Sequence, residues 1–121
     1  MGTLATGKVV LVPFPFSDLS KSKRRPAVVL TGTGYDDWIL CQITSNPYSD
    51  PKAVVIADDS FAQGSLRRTS YARPGKLFTA NSQLIVAEVG LLKKEALATT
   101  INAVLDVIRA GLAGYKAVSR R

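Results

Sequence analysis

Residues 38–44 read Trp-Ile-Leu-Cys-Gln-Ile-Thr, a stretch in which apolar side chains dominate until the polar Thr44. Aromatic and β-branched residues favour a strand, and the apolar run favours one that is buried within a sheet. Ser45 follows, and Asn46-Pro47 is a typical turn signal. The stretch therefore predicts a strand that ends at Thr44.

Further short apolar segments lie on both sides of this strand and are separated by turn residues. Val9–Val12 predicts a first strand, and Pro13 and Pro15 place its second half at an edge or a bulge because they lack amide donors. Thr31-Gly32-Thr33-Gly34 predicts the turn that precedes the strand at 38–44. The other predicted strands are 27–30, 52–56, 70–73, 76–79 and 84–88, with a turn at Pro74-Gly75 and a loop that carries Gly64. Such spacing is typical of a small barrel or sandwich.

From Lys94 onward, the apolar residues follow the period of a helix. They are Leu97, Ile101, Val104, Leu105, Ile108 and Leu112, which share one helix face. We expect this face to pack on the barrel, although such a helix could instead bind a membrane or a partner. Gly111 and Gly114 are expected to end the helix, and Lys93 stands where a Ser or Asp cap would strengthen its start.

The chain has 121 residues, of which 46% are hydrophobic, and this size fits one compact domain. We expect its ends, 1–6 and 113–121, to be flexible. No uninterrupted apolar run approaches the roughly 20 residues that cross a bilayer. The N-terminus has neither the basic start nor the apolar stretch of a secretory signal. A cytoplasmic protein without a membrane segment is therefore expected.

Histidine is absent and Cys41 is the single cysteine. The chain thus lacks the usual partner of a catalytic serine or cysteine and the commonest nitrogen ligand of zinc. Cys41 lies in the apolar run at 38–44, so we expect an inert thiol in the core. Papain-like, triad-hydrolase and histidine-based metal sites are disfavoured, and neither a metal nor a cofactor is predicted.

Basic residues outnumber acidic ones by sixteen to nine, which gives a formal charge of +7. This excess favours a polyanionic partner such as nucleic acid, but a basic surface that only keeps the protein soluble explains it equally well. The densest cationic cluster comprises Lys21, Lys23, Arg24 and Arg25. Pro26 restrains the backbone of Arg25 to an extended form, and a guanidinium held in place suits phosphate oxygens. The alternative partner is a surface carboxylate.

Two other groups of polar residues are candidates for ligand binding. Thr44, Ser45 and Asn46 offer hydroxyl and amide groups to a ligand, although all three are also ordinary turn formers. Arginines at 67, 68 and 73 flank Tyr71. Cations beside an aromatic ring suit single-stranded nucleic acid, because bases stack on rings and phosphates meet cations. Tyr71 could equally pack in the barrel.

Several of these segments together resemble the MazF/PemK toxins of type II toxin–antitoxin systems. The resemblance rests on Gly-Lys-Val-Val-Leu-Val-Pro-Phe-Pro-Phe at 7–16, Arg-Arg-Pro-Ala-Val-Val-Leu at 24–30 and Gln-Ile-Thr-Ser at 42–45. It continues through Ser-Tyr-Ala-Arg-Pro-Gly-Lys-Leu at 70–77 and Gly-Leu-Leu at 90–92. The order of the segments along the chain makes the resemblance specific, since each segment alone would be weak.

The resemblance implies a mainly β fold with a C-terminal helix, namely a small SH3-like barrel that forms a homodimer. It implies a toxin that cuts single-stranded RNA at short sequences without a metal, is inhibited by a cognate antitoxin and contacts DNA only through the antitoxin complex. Arg25 and Thr44 correspond to the catalytic pair of the family. The implied chemistry is attack of a ribose 2′-hydroxyl on its own phosphate, which leaves a 2′,3′-cyclic phosphate and a 5′-hydroxyl end.

We predict that RNA is also bound by Phe16, Ser17, Lys21, Lys23, Arg24, Gln42, Ser45, Asn46, Arg68, Ser70, Tyr71 and Arg73. One position departs from the family, whose members commonly carry Asp where this chain has Lys8, and we expect the change to alter the groove. A non-catalytic barrel that binds protein or nucleic acid, such as the gyrase-poisoning CcdB toxins or an inactive toxin relative, stays open as an alternative.

Overall fold

The structure, a computed structural model, describes residues 4–13, 24–47 and 49–120. These residues form seven strands and one long helix. The strands are β1 (Lys8–Pro13), β2 (Arg24–Gly34), β3 (Asp37–Thr44), β4 (Val54–Ile56), β5 (Phe61–Gly64), β6 (Ser70–Asn81) and β7 (Ala87–Leu92), and the helix is α1 (Lys94–Ser119). Two short 3-10 helices lie at Asp58–Ser60 and Ser82–Leu84.

All seven strands belong to one antiparallel sheet with the order β4-β6-β3-β2-β1-β7-β5. The sheet curls into a half-barrel, and α1 follows its last strand. The predicted mainly β fold with a C-terminal helix is therefore confirmed.

Both faces of the sheet are buried, which explains why 9–12 and 27–30 are continuous apolar runs rather than alternating ones. On the face that packs against α1, the fully buried residues include Val9, Val28 and Ile43. On the opposite face, Val10 and Val29 are fully buried beneath a layer of partly buried side chains. That layer consists of Leu4, Trp38, Phe78 and Ile85.

Two predicted turns are wrong, because the strands continue through them. Strand β2 extends to Gly34, and the chain instead reverses at Tyr35 and Asp36, which have φ values of 56° and 62°. Strand β6 likewise continues through Pro74-Gly75. Its partner residues on β3 shift there, since Cys41 pairs with Leu77 whereas Ile43 pairs with Ala72. The extra β6 residues form a bulge, in which the missing amide hydrogen of a proline is tolerated.

Strand β5 was not predicted, and β7 lies later in the chain than the predicted strand at 84–88. Only Phe61 is buried in β5, so this strand lacks an apolar signal. The β5 and β7 backbones pack so closely that a Cβ atom at Gly64 would collide with the carbonyl oxygen of Val89. A Cβ atom at Gly90 would similarly collide with the carbonyl oxygen of Gln63. Glycine at these two positions permits the pairing.

The N-terminal half of α1 packs as predicted, whereas the C-terminal half does not. Helix α1 begins at Lys94, and the preceding Lys93 makes no side-chain capping bond. Val104 is buried against the sheet, but Ile108 and Leu112 are 60% and 59% exposed. Gly111 and Gly114 do not end the helix, which continues to Ser119. The apolar face of α1 therefore packs on the sheet only in its N-terminal half, and its C-terminal half is exposed.

By length and composition alone, α1 is long and apolar enough to cross a bilayer, although polar residues interrupt its apolar sequence. Its mean hydropathy over the best 18-residue window is 1.4, and 11% of that window is buried. One such helix is weak evidence of a membrane protein, because the core helices of soluble proteins can meet the same criterion.

Candidate active site

The start of β2 and the end of β3 lie side by side at one end of the sheet. Ala27 pairs with Gln42 in the antiparallel β2–β3 ladder. The same register, extended by two residues, brings Arg25 level with Thr44. Residues two apart in a strand share a face of the sheet. Arg25 therefore lies on the same face as Ala27, and Thr44 lies on the same face as Gln42. The fold thus juxtaposes two side chains that are distant in sequence.

A cavity of about 360 Å³ opens at this end of the sheet, and we call it the catalytic cavity because both residues predicted to be catalytic line it. Its lining comprises Arg24, Arg25, Pro26, Ile43, Thr44, Ser45, Leu66, Arg68 and Ser70. Six of these residues were predicted as catalytic or RNA-binding from the sequence. The other three, Pro26, Ile43 and Leu66, add apolar surface beside the polar groups.

Three arginines line the catalytic cavity, and none of them is paired with a carboxylate among the described residues. Arg25 is half-buried, whereas Arg24 and Arg68 are exposed. The two ion pairs that the described residues form, Lys8–Glu88 and Arg73–Asp50, involve none of the three. Within the described part of the chain, the alternative of a carboxylate partner for Arg25 is therefore not observed. Unpaired guanidinium groups give the cavity a positive potential that suits a phosphate.

Thr44 is 7% exposed, and its hydroxyl group takes part in the turn that follows β3. Its Oγ1 accepts a hydrogen bond from the amide nitrogen of Asn46 at 3.2 Å and donates one to the carbonyl oxygen of Asn46 at 3.0 Å. The two interpretations of this residue, turn former and cavity wall, therefore both hold. A hydroxyl oxygen has two acceptor sites, so one of them remains available for a ligand. The hydroxyl can donate to a phosphate only if its hydrogen bond to the Asn46 carbonyl oxygen breaks.

Comparison with known proteins places this arrangement in a family. Residues 5–108 match the PemK-like, MazF-like toxins of type II toxin–antitoxin systems. The chain belongs to this family. No curated protein matches the sequence.

The fold is shared with solved members of the MazF group at low sequence identity. MazF from Deinococcus radiodurans is 17% identical, with a TM-score of 0.68 over 89% of this chain and 98% of that chain. A mycobacterial endoribonuclease in complex with its cognate antitoxin is 12% identical, with a TM-score of 0.66 over 89% and 95%. A MazE–MazF complex from Deinococcus radiodurans is 15% identical, with a TM-score of 0.66 over 89% and 97%.

Arg73, predicted to bind RNA in this MazF-like chain, does not line the catalytic cavity. Its Nε donates to Oδ2 of Asp50 at 3.2 Å, and the two side chains are only 21% and 16% exposed. The amide of Lys52 donates to the other oxygen of Asp50. The hydrogen bond from the Lys52 amide, and to a smaller extent the Arg73 guanidinium, holds the pKa of the Asp50 carboxyl below its ordinary value. Arg73 thereby fastens the loop at 45–53, which begins directly after Thr44.

The remaining predicted residues fall into two groups. Gln42, Asn46 and Tyr71 lie near the end of β3 but do not line the catalytic cavity. Tyr71 is half-buried on β6, where it pairs with Thr44 on one side and Val55 on the other. The other group, Phe16, Ser17, Lys21 and Lys23, was predicted to bind RNA but lies outside the described residues.

Lys8 lies at the opposite end of β1 from the catalytic cavity. Arg24 pairs with Pro13, and Lys8 lies five residue steps, roughly 16 Å, from Pro13 along the strand. The Lys8 ammonium contacts both carboxylate oxygens of Glu88 at 3.1 Å. The departure from the family pattern is thus part of a cross-strand ion pair between β1 and β7.

Cys41 behaves as the sequence predicted, because it is fully buried in β3. Its Sγ donates to the carbonyl oxygen of Arg73 at 3.1 Å. Burial raises the pKa of the thiol to about 12. A thiol with this pKa carries almost no thiolate at neutral pH, so it is a poor nucleophile.

A second cavity of about 480 Å³ was not predicted from the sequence. It is lined by Ala57, Asp58, Asp59, Arg67, Arg68 and Thr69, so Arg68 borders both cavities. In the sequence, the polar residues that line this cavity were noted only for their polarity or charge, apart from Arg67 and Arg68 near Tyr71. No group of three or more Cys, Asp or Glu side chains in the described chain could hold a metal ion.

Proposed function

We propose that this chain is the toxin of a type II toxin–antitoxin pair and an endoribonuclease that cuts single-stranded RNA. The observation that carries the proposal is the catalytic cavity, which Arg25 and Thr44 line together with two further arginines. Its location in a MazF-like fold supports an RNA substrate, since one structural neighbour is described as an endoribonuclease. A gyrase poison or an adaptor would have no use for this polar cavity.

The proposed reaction begins when a ribose 2′-hydroxyl attacks the adjacent phosphorus atom and ends when the 5′-oxygen of the next nucleotide leaves. One P–O bond forms and one breaks, while the 2′-hydroxyl loses a proton and the departing 5′-oxygen gains one, which gives a 2′,3′-cyclic phosphate and a 5′-hydroxyl. Negative charge accumulates on the phosphate oxygens in the pentavalent transition state. Arg25 stabilises that charge with a forked donor, and Thr44 binds the same phosphate through its hydroxyl group.

Arg25 acts on charge rather than as a proton carrier in this proposal. A guanidinium holds its proton firmly, so an arginine is a weak general base at neutral pH. The chain has no histidine that could carry the proton instead. Holding and neutralising the phosphate is the role that a half-buried guanidinium performs best, and the reaction as written needs no metal ion.

We further propose that the protein acts in the cytoplasm as a homodimer and is inhibited by a cognate antitoxin. The antitoxin complexes of two structural neighbours support that partner. Contact with DNA is proposed only through the antitoxin complex. A bacterial host that expresses the toxin should stop growing, and co-expression of the antitoxin should restore growth.

The decisive experiment maps the ends of RNA cut by the purified protein in the presence of EDTA. We expect cleavage that leaves 5′-hydroxyl ends and cyclic phosphates, and we expect Arg25→Ala to abolish it. Arg109→Ala is the matched control, because Arg109 is an exposed arginine on α1 away from the cavity. Intact RNA across varied sequences, 5′-phosphate ends, or full activity of Arg25→Ala would each contradict the proposal.

A further inference from the structure

The catalytic cavity and the second cavity lie on opposite sides of the segment at 66–70. Leu66 and Ser70 line the catalytic cavity only, whereas Arg67 and Thr69 line the second cavity only. Arg68 lines both. A phosphate held by Arg25 and Arg68 would thus place the adjoining nucleotide at the mouth of the second cavity.

The second cavity combines charges of both signs that do not neutralise each other. Asp58 and Asp59 line it together with Arg67 and Arg68, yet neither aspartate forms an ion pair with either arginine in the described structure. Opposite charges that border one open cavity without contact leave space for a ligand that uses both. The arginines suit the phosphate of a nucleotide.

The two carboxylates are unsuited to phosphate, because like charges repel. They suit hydrogen-bond donors, and the donors on a nucleotide base are its amino and ring N–H groups. Carboxylates accept from the N4 amino group of cytosine in known nucleic-acid complexes. Adenine and guanine also carry amino groups with two N–H donors each, whereas uracil has no amino group and offers a single N–H donor at N3. The chemistry of the cavity therefore favours an amino-bearing base over uracil.

One of the carboxylates is already held in position. Ser65 Oγ donates to Oδ1 of Asp58 at 2.6 Å and accepts from the amide nitrogen of Arg67 at 2.8 Å. The second oxygen of Asp58 and both oxygens of Asp59 have no hydrogen bond within the described residues. Acceptors that are fixed before the ligand arrives lose less entropy on binding than mobile ones.

We propose that the second cavity is a base-reading subsite, in which Asp58 and Asp59 select an amino-bearing base next to the cleaved phosphate. This inference rests on the proposed ribonuclease function. It assigns sequence preference at one position to two residues that do not line the catalytic cavity.

Cleavage of a random single-stranded RNA library, with sequencing of the product ends, tests the subsite. The variants are Asp58→Asn and Asp59→Asn, since an amide keeps the shape of the carboxyl but adds donor groups. Asp106→Asn is the matched control, because Asp106 is exposed on α1 and the charge change is the same. We expect the wild type and the control to disfavour uracil at one position beside the cut. Either test variant should reduce that discrimination by about 10-fold, the scale of a good base contact.

Binding to oligonucleotides that cannot be cut gives a second readout. The probes carry a 2′-deoxyribose at the cleaved position and differ by one amino group, as cytosine against uracil or guanine against inosine. Fluorescence anisotropy should show tighter binding of the amino-bearing probe by the wild type and a smaller difference for Asp59→Asn.

The possible failures are distinguishable. If the wild type leaves all RNA intact, the proposed function fails. If the wild type cuts RNA but Asp58→Asn and Asp59→Asn retain its sequence profile, the subsite is wrong and the function stands. A uniform change in rate at every sequence would also overturn the subsite, because it would show that the carboxylates act only on phosphate.

Discussion

Arg25 and Arg73 lie on strands at the same end of the sheet, and the sequence pointed to both as RNA contacts, yet their surroundings differ. Arg25 lines an open cavity and is paired with no carboxylate among the described residues. Arg73 is largely buried and donates to Asp50, which is itself fastened to the backbone of its own loop. The first guanidinium is available to a ligand, and the second stabilises the protein.

This difference teaches that the position of an arginine in a motif does not fix its role. Asp50 lies 23 residues before Arg73 in the chain, and the two meet because their segments fold together. Removal of Arg25 should therefore cost activity with little change in stability, and removal of Arg73 should do the reverse. Four measurements can break or sharpen this contrast.

The largest expected effect is that of Arg25→Ala on the cleavage rate. Loss of one donor that stabilises transition-state charge costs about 10²- to 10³-fold. The free energy of unfolding should stay within about 0.5 kcal/mol of the wild type, because Arg25 makes no described ion pair. Arg25→Lys keeps the charge but loses the fork, and it should recover only part of the rate. Single-turnover cleavage and urea denaturation measure the two quantities, and a destabilised Arg25→Ala protein would erase the contrast with Arg73.

Thr44 should show an intermediate phenotype, because its hydroxyl serves both the cavity and the turn. Thr44→Val removes both hydrogen bonds between the hydroxyl group and the Asn46 backbone, at a cost of about 0.5–1.5 kcal/mol each in stability. The cleavage rate should also fall by about 10-fold or more. Thr44→Ser, which keeps the hydroxyl, is the control. If Thr44→Val loses stability but cuts at the normal rate, Thr44 belongs to the turn alone.

Sequence alone pointed to six of the residues that line the catalytic cavity. Arg25 and Thr44 were singled out by the ordered family pattern around them, since each taken alone had an ordinary structural explanation. Antiparallel pairing of β2 and β3 then brings the residues together. The apolar runs at 9–12 and 27–30 are long because both faces of the sheet are covered. These signals reside in contiguous residues, so no tertiary information was needed.

The features that sequence missed depend on contacts between distant segments. Strand β5 has one buried side chain and is defined by its pairing with β7. The bulge that admits Pro74 into β6 depends on the register with β3. Gly111 does not end α1, since a glycine inside a helix costs only about 1 kcal/mol and no proline follows. The second cavity takes its shape from a loop whose residues signalled only polarity.

Arg73→Ala should reduce stability more than it reduces the catalytic rate. Loss of a hydrogen-bonded ion pair that is four-fifths buried costs about 1–3 kcal/mol, and the loop at 45–53 should become more accessible to proteolysis. Lys8→Ala, which breaks the other described ion pair, is the matched comparison and should cost less, since Glu88 is 33% exposed. Urea denaturation and limited proteolysis measure these effects. If both variants lose the same free energy of unfolding and become equally sensitive to protease, the Arg73–Asp50 pair does not hold the loop in place.

The smallest expected effect is the acid dependence that Asp50 confers. Its folded-state pKa is held below the ordinary value of 3.8, first by the Lys52 amide and then by Arg73. A carboxyl whose pKa is lowered by folding stabilises the protein fully above its unfolded pKa. That contribution is lost as the pH falls from about 4 through the folded-state pKa. Between pH 5 and pH 8 the pair should therefore contribute a constant amount.

Unfolding by urea at pH values from 3 to 6 tests this linkage. Asp50→Asn should be less stable than the wild type at pH 6, and the difference should shrink as the pH falls below about 4, because the stabilisation by the ionised carboxyl is lost from there down through its folded-state pKa. Asp106→Asn should track the wild type at every pH, since Asp106 is exposed on α1. A stability difference for Asp50→Asn that does not shrink in acid would show that the side chain acts through its shape and not its charge.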